Sequence, residues 1–176
     1  MITINEYYSD VDEIDEVTLV SKSDFLWKNG SLAEIKELVC PRLFNLHVFV
    51  NLVGNWKCEG WWYIICEMVE LVPYIEDALD QVGAVEIKEG FIKLMNCFPE
   101  NTKFEYSEEY FDLVNFFQSL GYKVKSDNLK NIPREERKAK IRNMRNCVEN
   151  LDEITNNFWG GDSAWEQAID YIISNR

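Results

Sequence analysis

The sequence predicts an all-α fold, a single-domain bundle of about six to eight helices. In the segment 59–72, apolar residues fall at i, i+3, i+4, i+7, i+8 and i+11, which is helical spacing. Pro41, Pro73 and Pro133 each open a stretch of this kind, as proline does in the first turn of a helix. No internal repeat or low-complexity linker divides the 176 residues, so a single domain over 1–176 is expected.

An acidic N-terminal segment over 1–30 precedes the helical body at 31–176. Positions 6–16 carry six acidic and no basic residues, with apolar residues between them. This pattern fits an irregular segment, a short strand or a short helix, and it does not decide between them. The body begins at Ser31, because Glu34 stands three residues later and completes a capping box.

The body divides where proline, glycine or a capping residue interrupts the helical pattern. Gly54–Asn55 is expected to end the second helix of the body, and Gly83 to end the fourth as a left-handed C-terminal residue. Ser107 is expected to cap the helix at 107–120. Gly160–Gly161 is expected to end the longest helix, after which Asp162 caps the last one. The expected helices cover 31–40, 41–54, 59–72, 73–82, 85–98, 107–120, 133–158 and 162–172.

The five cysteines and the single histidine show no metal or disulfide signature. The cysteines are odd in number and widely spread, and none forms a CxxC motif, so we expect small buried apolar side chains. His47 lies on an apolar helix face without a cysteine or carboxylate at ligand spacing, which favours a hydrogen-bonded core histidine over a catalytic one. The cysteines are Cys40, Cys58, Cys66, Cys97 and Cys147. No cofactor is expected.

The charge of the chain is uneven. The net charge is −13, and residues 1–120 hold 22 Asp and Glu against 8 Lys and Arg, a balance of −14. Residues 121–176 hold 9 against 10, a balance of +1. Such an acidic body repels phosphate and anionic lipid and attracts basic proteins. We therefore expect a basic protein as the partner, and neither nucleic acid nor a membrane.

Two groups of acidic residues are the candidate partner-binding residues. The second group falls on two helices that are adjacent in sequence, and on a single helix acidic side chains three or four positions apart lie about 5–6 Å from one another at Cβ. Because DNA carries a phosphate about every 3.4 Å along each strand, such a row reproduces part of its field. A solvated helix face is the competing interpretation. The candidates are Asp10, Asp12, Glu13, Asp15 and Glu16 in the N-terminal segment, and Glu67, Glu70, Glu76, Asp77 and Asp80 in the body.

The basic stretch at 130–145 is the exception to this acidity, with seven Lys and Arg and two Glu. Its apolar residues follow helical spacing, and it lacks the stacking aromatic residues of single-stranded nucleic-acid sites. We expect it either to form ion pairs with the acidic body or to make a homodimer contact. The buried stripe of this long helix is expected to contain Ile141, Met144, Cys147, Val148, Leu151, Ile154 and Phe158.

Two short motifs and one late segment carry a family resemblance. Cys58-Glu59-Gly60-Trp61 stands where the family has Asn-Gly-Gly-aromatic at a helix start, so the first two positions depart from it. Ala78-Leu79 and Val82-Gly83-Ala84 stand in its Ala-Leu…Ile-Gly-Ala segment, and Leu151 with Asp152 in its Leu-Asp…aromatic helix. Over 45–175 the chain thus resembles the bacterial DNA-mimic-protein-like domain family of small acidic proteins. The resemblance implies an all-helical fold and an acidic surface that occupies the DNA-binding face of a regulator.

These observations predict a non-enzymatic binding protein. The sequence contains neither a GxSxG elbow nor a phosphate-binding glycine loop, either of which would favour an enzyme. An alternative is an immunity protein that neutralises a basic toxin such as a nuclease. A second alternative is a small hydrolase or ligand-binding domain that uses the Trp61–Trp62–Tyr63 cluster. The sequence has neither a membrane-spanning apolar run nor a signal-peptide pattern, so a cytoplasmic location is expected.

Overall fold

The computed structural model describes residues 1–159 and 163–175, and it confirms the all-α class. The described residues form ten helices, and β structure among them is limited to one parallel bridge between Ile2 and Val39. The helices are α1 (Ile4–Tyr7), α2 (Glu16–Trp27), α3 (Leu32–Leu38), α4 (Pro41–Glu67), α5 (Val72–Val82), α6 (Val85–Met95), α7 (Glu108–Gln118), α8 (Asp127–Lys130), α9 (Arg134–Trp159) and α10 (Ser163–Asn175).

The N-terminal segment is mainly helical. Thr3 caps α1 in a capping box with Glu6, and the Asp15 side chain caps α2 by accepting a hydrogen bond from the Thr18 N–H at 2.8 Å. Leu19 and Leu26 of α2 are buried in the core. Helix therefore covers both ends of the acidic stretch at 6–16, whereas residues 8–15 between α1 and α2 are irregular. The predicted capping box of Ser31 and Glu34 is also present, at the start of α3.

Helix α4 lies at the centre of the bundle and packs against α2, α3, α5, α7, α9 and α10. Its first five turns bury apolar side chains on all sides, which is typical of a helix surrounded by others. The buried side chains of this part are Leu43, Phe44, Leu46, His47, Val48, Phe49, Val50, Leu52, Val53 and Trp56. The core of the domain therefore forms around α4.

The predicted end of this helix at Gly54–Asn55 is wrong. Gly54 is helical, and the Asn55 amide donates to the Asn51 carbonyl oxygen at 2.7 Å, so the helix continues past both residues. Its axis breaks at Gly60, where φ is 76° and ψ is 178°, a combination that essentially only glycine adopts. A glycine inside a helix weakens it without having to end it.

Asp152 of α9 stabilises the break in α4. The N–H of Trp61, the first residue after the break, donates to Asp152 Oδ1 at 3.0 Å. The helical segment that starts there is thus capped by a side chain 91 positions away in sequence. It ends at Glu67 instead of residue 72, and α5 then begins at Val72, one residue before the predicted start at Pro73.

We expect Asp152→Ala to lower the free energy of unfolding by about 1 kcal/mol, the usual effect of losing a side-chain cap. Burial raises the pKa of Asp152, the hydrogen bond from the Trp61 N–H partly opposes this rise, and Glu149 adds to it. A raised folded-state pKa favours the protonated form, so the contribution of Asp152 falls as pH rises through that pKa. Asp152→Asn keeps an acceptor without the charge, so at neutral pH its stability should equal or exceed that of the wild type. Urea unfolding at pH 4 and pH 7 measures both; an asparagine variant as unstable as the alanine variant would contradict the capping role.

Helices α6 and α9 approach closely at Gly90. A Cβ atom at this position would lie 2.7 Å from Leu151 Cδ2, so glycine lets Leu151 enter the interface. Further along, the Cys97 and Cys147 sulfurs lie 3.7 Å apart as free thiols at the half-buried edge of the same contact. The prediction of buried cysteines is wrong in degree, because Cys58 is exposed and the other four are half-buried.

The remaining predictions for the body are met with small shifts of boundary. Gly83 ends α5 with φ 76°, and Ser107 caps α7. In the predicted stripe of α9, Ile141, Met144, Val148 and Leu151 are buried, and Cys147 and Ile154 are half-buried. The Gly160–Gly161 break, the Asp162 cap and the Phe158 side chain lie outside the described residues.

Candidate protein-binding surface

Helix α5 presents a row of carboxylates, here called the α5 stripe: Glu76, Asp77 and Asp80. The opposite face of the helix is apolar and packs against α4, α6 and α10, burying Val72, Ile75, Ala78 and Leu79. Because apolar and acidic residues alternate at helical spacing, burial of one set fixes the exposure of the other. All three carboxylates of the stripe are exposed.

The carboxylates of the α5 stripe act together on one lysine. Lys88 of α6 lies 2.6 Å from Asp80 Oδ1. The pKa of Lys88 is raised, mainly because of this hydrogen bond and also because Asp80, Glu76 and Asp77 attract its charge. The three carboxylates therefore produce a shared negative field at one place on the surface, and Lys88 offsets one of their charges.

Glu67, the last residue of α4, and Glu70, in the turn between α4 and α5, lie next to Tyr106. The Tyr106 hydroxyl donates to the Glu67 carbonyl oxygen at 2.5 Å. The pKa of Tyr106 is raised by burial of its hydroxyl, then by Glu70 and Glu67, with a smaller effect from Tyr63. Glu67 is exposed and Glu70 is half-buried. This turn is thus a second negative region.

The N-terminal acids are exposed, and three of the five have structural partners. Asp10 forms an ion pair with Lys22 at 2.5 Å, and Glu16 lies 3.9 Å from Lys57. Asp15 caps α2, as described above. These contacts neutralise part of the negative charge of this region or give its carboxylates a structural role, which the count of acidic residues does not show. The complete set is Asp10, Asp12, Glu13, Asp15 and Glu16, all exposed.

The candidate residues therefore occupy three local settings. The α5 stripe lies around Lys88, and Glu67 and Glu70 lie near Tyr106. Two of the N-terminal acids, Asp10 and Glu16, contact Lys22 and Lys57. The stripe and the turn belong to one stretch of chain, residues 67–80. The least neutralised part of the predicted set is this stretch.

Two aromatic residues beside the turn were not predicted from the sequence as binding residues. Tyr106 and Phe111 are 56% and 39% exposed, and their ring centroids are 6.3 Å apart. Tyr106 lies in the connection between α6 and α7, where periodicity gives no signal. Phe111 lies on the α7 face away from the core, and its position in that helix was the only signal in the sequence that could have indicated its exposure.

Among the residues that the structure describes, the basic stretch forms no ion pair with the acidic body. Lys138 lies 4.0 Å from Glu135 and Lys140 lies 3.7 Å from Glu136, so both ion pairs are local to α9. Arg137 is half-buried and donates to three carbonyl oxygens at the end of α7 and just after it, those of Phe116, Ser119 and Tyr122. The predicted ion pairing with the acidic body is wrong among the described residues, because these cations serve helix ends and near neighbours.

His47 has a structural setting. It is 2% exposed, its Nδ1 lies 2.7 Å from Ser23 Oγ, and the Asn51 amide donates to the same hydroxyl at 2.9 Å. Burial lowers the pKa of His47 to about 4. The imidazole is therefore neutral at physiological pH and belongs to a buried polar cluster, as the sequence predicted.

The aromatic cluster at 61–63 is divided between core and surface. Trp61 is fully buried, and its ring lies 5.7 Å from that of Trp56 and 5.9 Å from that of Phe91. Trp62 and Tyr63 are half-buried. Of the three residues on which the hydrolase or ligand-binding interpretation depends, Trp61 is therefore part of the core.

A groove of about 470 Å³ runs between the loop that precedes α7, α7 itself and the region of α8. Its walls include Glu100, Glu105 and Glu109 but neither His47 nor Trp61. In residues 1–159 and 163–175, no group of three or more His, Cys, Asp or Glu side chains is arranged to hold a metal ion. None of the helices in the described part has the length and apolarity of a membrane span.

Comparison of the chain with protein-family models, curated proteins and solved structures found no match. The resemblance to the DNA-mimic-protein-like domain family therefore stays a prediction. The charges and exposed side chains of the surface are therefore the basis for the function proposed below.

Proposed function

We propose that this chain is a binding protein for a basic protein surface, which it contacts through the α5 stripe and the adjacent α4–α5 turn. The observation that carries the proposal is the row of exposed carboxylates on the solvent face of α5, where Asp80 pairs with Lys88 and Glu76 and Asp77 form no ion pair with another described residue. A surface of one sign, held on a rigid helix, steers an oppositely charged partner and fixes its orientation.

The spacing of these carboxylates suits a partner that normally binds nucleic acid. Glu76 and Asp77 lie four and three positions before Asp80, so their Cβ atoms are about 5–6 Å from that of Asp80. Such a row reproduces part of the field of DNA, which carries a phosphate about every 3.4 Å along each strand. A DNA-binding regulator and a nuclease toxin both bind phosphates through Lys and Arg. We therefore propose a DNA mimic first and an immunity protein as the alternative. The identity of the partner distinguishes the two.

The partner can be captured from a lysate of the organism that encodes the chain, using the immobilised protein and a salt gradient. We expect a basic protein that elutes at moderate salt and is displaced by duplex DNA, because the attraction is screened within about 8–10 Å. Identification by mass spectrometry distinguishes a regulator from a toxin. A captured protein that duplex DNA does not displace would contradict the DNA-mimic form.

Reversal of two charges tests the surface directly. We expect the double variant Asp77→Lys/Asp80→Lys to bind the captured protein about tenfold or more weakly, mainly through a slower association rate. The matched control is Glu149→Lys/Glu153→Lys, which changes the net charge equally at exposed positions of α9. Biolayer interferometry at two salt concentrations measures both, with circular dichroism as the check of folding. Equal loss in the two variants would show a non-specific effect of net charge and remove the α5 stripe from the interface.

A further inference from the structure

Tyr106 and Phe111 form an exposed aromatic pair at the edge of the acidic surface. Their exposed fractions are 56% and 39%, and their rings are tilted by 35° at a centroid distance of 6.3 Å. Large aromatic side chains exposed beside one another are a common feature of protein-binding sites. The question is which chemical group this pair accepts.

The end of α4 holds Tyr106 of the aromatic pair in place. The last carbonyl groups of a helix have no partner within it. Here the Tyr106 hydroxyl donates to the Glu67 carbonyl oxygen at 2.5 Å, and the Tyr110 hydroxyl donates to that of Ile65 at 2.8 Å. The Tyr106 ring is therefore fixed before any partner arrives, so little side-chain entropy would be lost on binding.

The surroundings of the aromatic pair attract a cation. Glu67 and Glu70 lie near Tyr106, and the carbonyl end of α4 adds the negative end of its helix dipole. Neither glutamate forms an ion pair with another described residue. The negative charge at this place is thus not neutralised within the described part of the chain.

Other aromatic rings of the chain already carry a cation. Lys28 lies 5.2 Å from the Phe25 ring, Lys36 lies 4.7 Å from the Tyr74 ring, and Arg137 lies 4.7 Å from the Phe116 ring. In the described part of the chain, no Lys or Arg lies over Tyr106 or Phe111. The aromatic pair combines exposed ring faces with unpaired carboxylates.

We infer that the aromatic pair, with Glu67 and Glu70, binds an arginine side chain of the basic partner. This inference rests on the proposed function and adds a specific contact to it. A planar guanidinium can stack on an aromatic face while its N–H groups donate to carboxylates, whereas a lysine ammonium stacks poorly and is more strongly hydrated. The site therefore selects arginine over lysine, which charge attraction alone does not do.

The test uses two blocked hexapeptides, one alternating arginine and glycine and the other alternating lysine and glycine. They carry the same charge, and binding is followed by amide chemical shifts of the full-length protein. We expect the arginine peptide to bind about two- to fivefold more tightly, the range of an exposed cation–π contact. Its shifts should centre on residues 63–70 and 106–111. Equal affinity for the two peptides, or shifts confined to α5, would overturn the inference.

Variants distinguish the contribution of the Tyr106 ring from that of the carboxylates around it. Tyr106→Leu should remove the preference for arginine, and Tyr106→Phe, which keeps the ring, should retain it. Phe25→Leu is the matched control because Phe25 is also 56% exposed but already carries Lys28, so its preference should equal that of the wild type. If Tyr106→Leu does not fold, Glu67→Gln/Glu70→Gln replaces it, and we expect weaker binding of the arginine peptide.

The same titrations distinguish this inference from the proposed function. If both peptides bind equally and Asp77→Lys/Asp80→Lys weakens both, the arginine site is overturned while the acidic surface keeps its proposed role. If the arginine preference is present but no basic protein is captured, the site is supported and the proposed function is not. Binding of neither peptide at low salt overturns the arginine site.

Discussion

Replacement of Trp61 by alanine is expected to lower the free energy of unfolding by about 3–5 kcal/mol, a large part of the about 5–15 kcal/mol that stabilises a typical domain. Trp61 is fully buried between the rings of Trp56 and Phe91, at the point where α4 breaks and meets α6 and α9. Its removal leaves a cavity that the surrounding helices cannot fill without moving.

The neighbouring Trp62 is the matched control for this variant. It has the same size and is half-buried, so Trp62→Ala removes less buried surface and should have a clearly smaller effect. Guanidinium unfolding followed by circular dichroism at 222 nm measures both without relying on tryptophan fluorescence. A larger loss of unfolding free energy from Trp62→Ala than from Trp61→Ala would contradict the burial of Trp61 in the core.

Two glycines of α4 should respond to alanine with opposite signs. Gly60→Ala is expected to destabilise the domain by about 1–3 kcal/mol, since its φ of 76° with ψ of 178° is accessible essentially only to glycine. The new Cβ would also lie 3.2 Å from Asp152 Oδ1, which accepts the Trp61 N–H. Loss of that contact should place the effect near the upper end of this range.

Gly54→Ala is the control in the same helix. Gly54 has helical geometry, and a Cβ there would meet nothing within 4 Å, so alanine should stabilise the protein by about 0.5–1 kcal/mol. Thermal and urea unfolding of both variants test the difference in sign. Stabilisation by Gly60→Ala would show that α4 is straight at this point and that the described break is wrong.

The break at Gly60 also matters for the proposed binding surface. The segment after it ends at Glu67, and its last carbonyl groups accept hydrogen bonds from Tyr110 and Tyr106. The direction of this short segment therefore fixes the position of the aromatic pair relative to Glu67 and Glu70. Gly60→Ala should consequently weaken the arginine preference together with stability, whereas Gly54→Ala should leave the preference unchanged.

The exposure of the α5 stripe was predictable because one local pattern determines both faces of the helix. Val72, Ile75, Ala78 and Leu79 repeat at helical spacing and share one face, so Glu76, Asp77 and Asp80 had to lie on the face turned to solvent. The aromatic pair was not predictable in this way. Tyr106 lies outside any periodic segment, and its partner Glu67 is 39 positions away.

The role of individual acidic residues was likewise beyond the sequence. Asp112 is only 3% exposed and accepts the N–H groups of Lys125 and Ser126 at 2.9 and 2.8 Å. Asp152 caps α4 from α9, and Asp10 is neutralised by Lys22. Composition alone treats these carboxylates as equal parts of the net charge, although each has a different partner.

The sequence by itself determined the helical class, the caps at Ser31 and Ser107, the end of α5 at Gly83 and the overall acidity. These properties depend on neighbours within a few positions, because helical periodicity and capping are local. Only the tertiary structure decided that α4 continues through Gly54 and breaks at Gly60, and which carboxylates stay unpaired. Those outcomes depend on contacts between distant residues, where burial and hydrogen bonding override local preference.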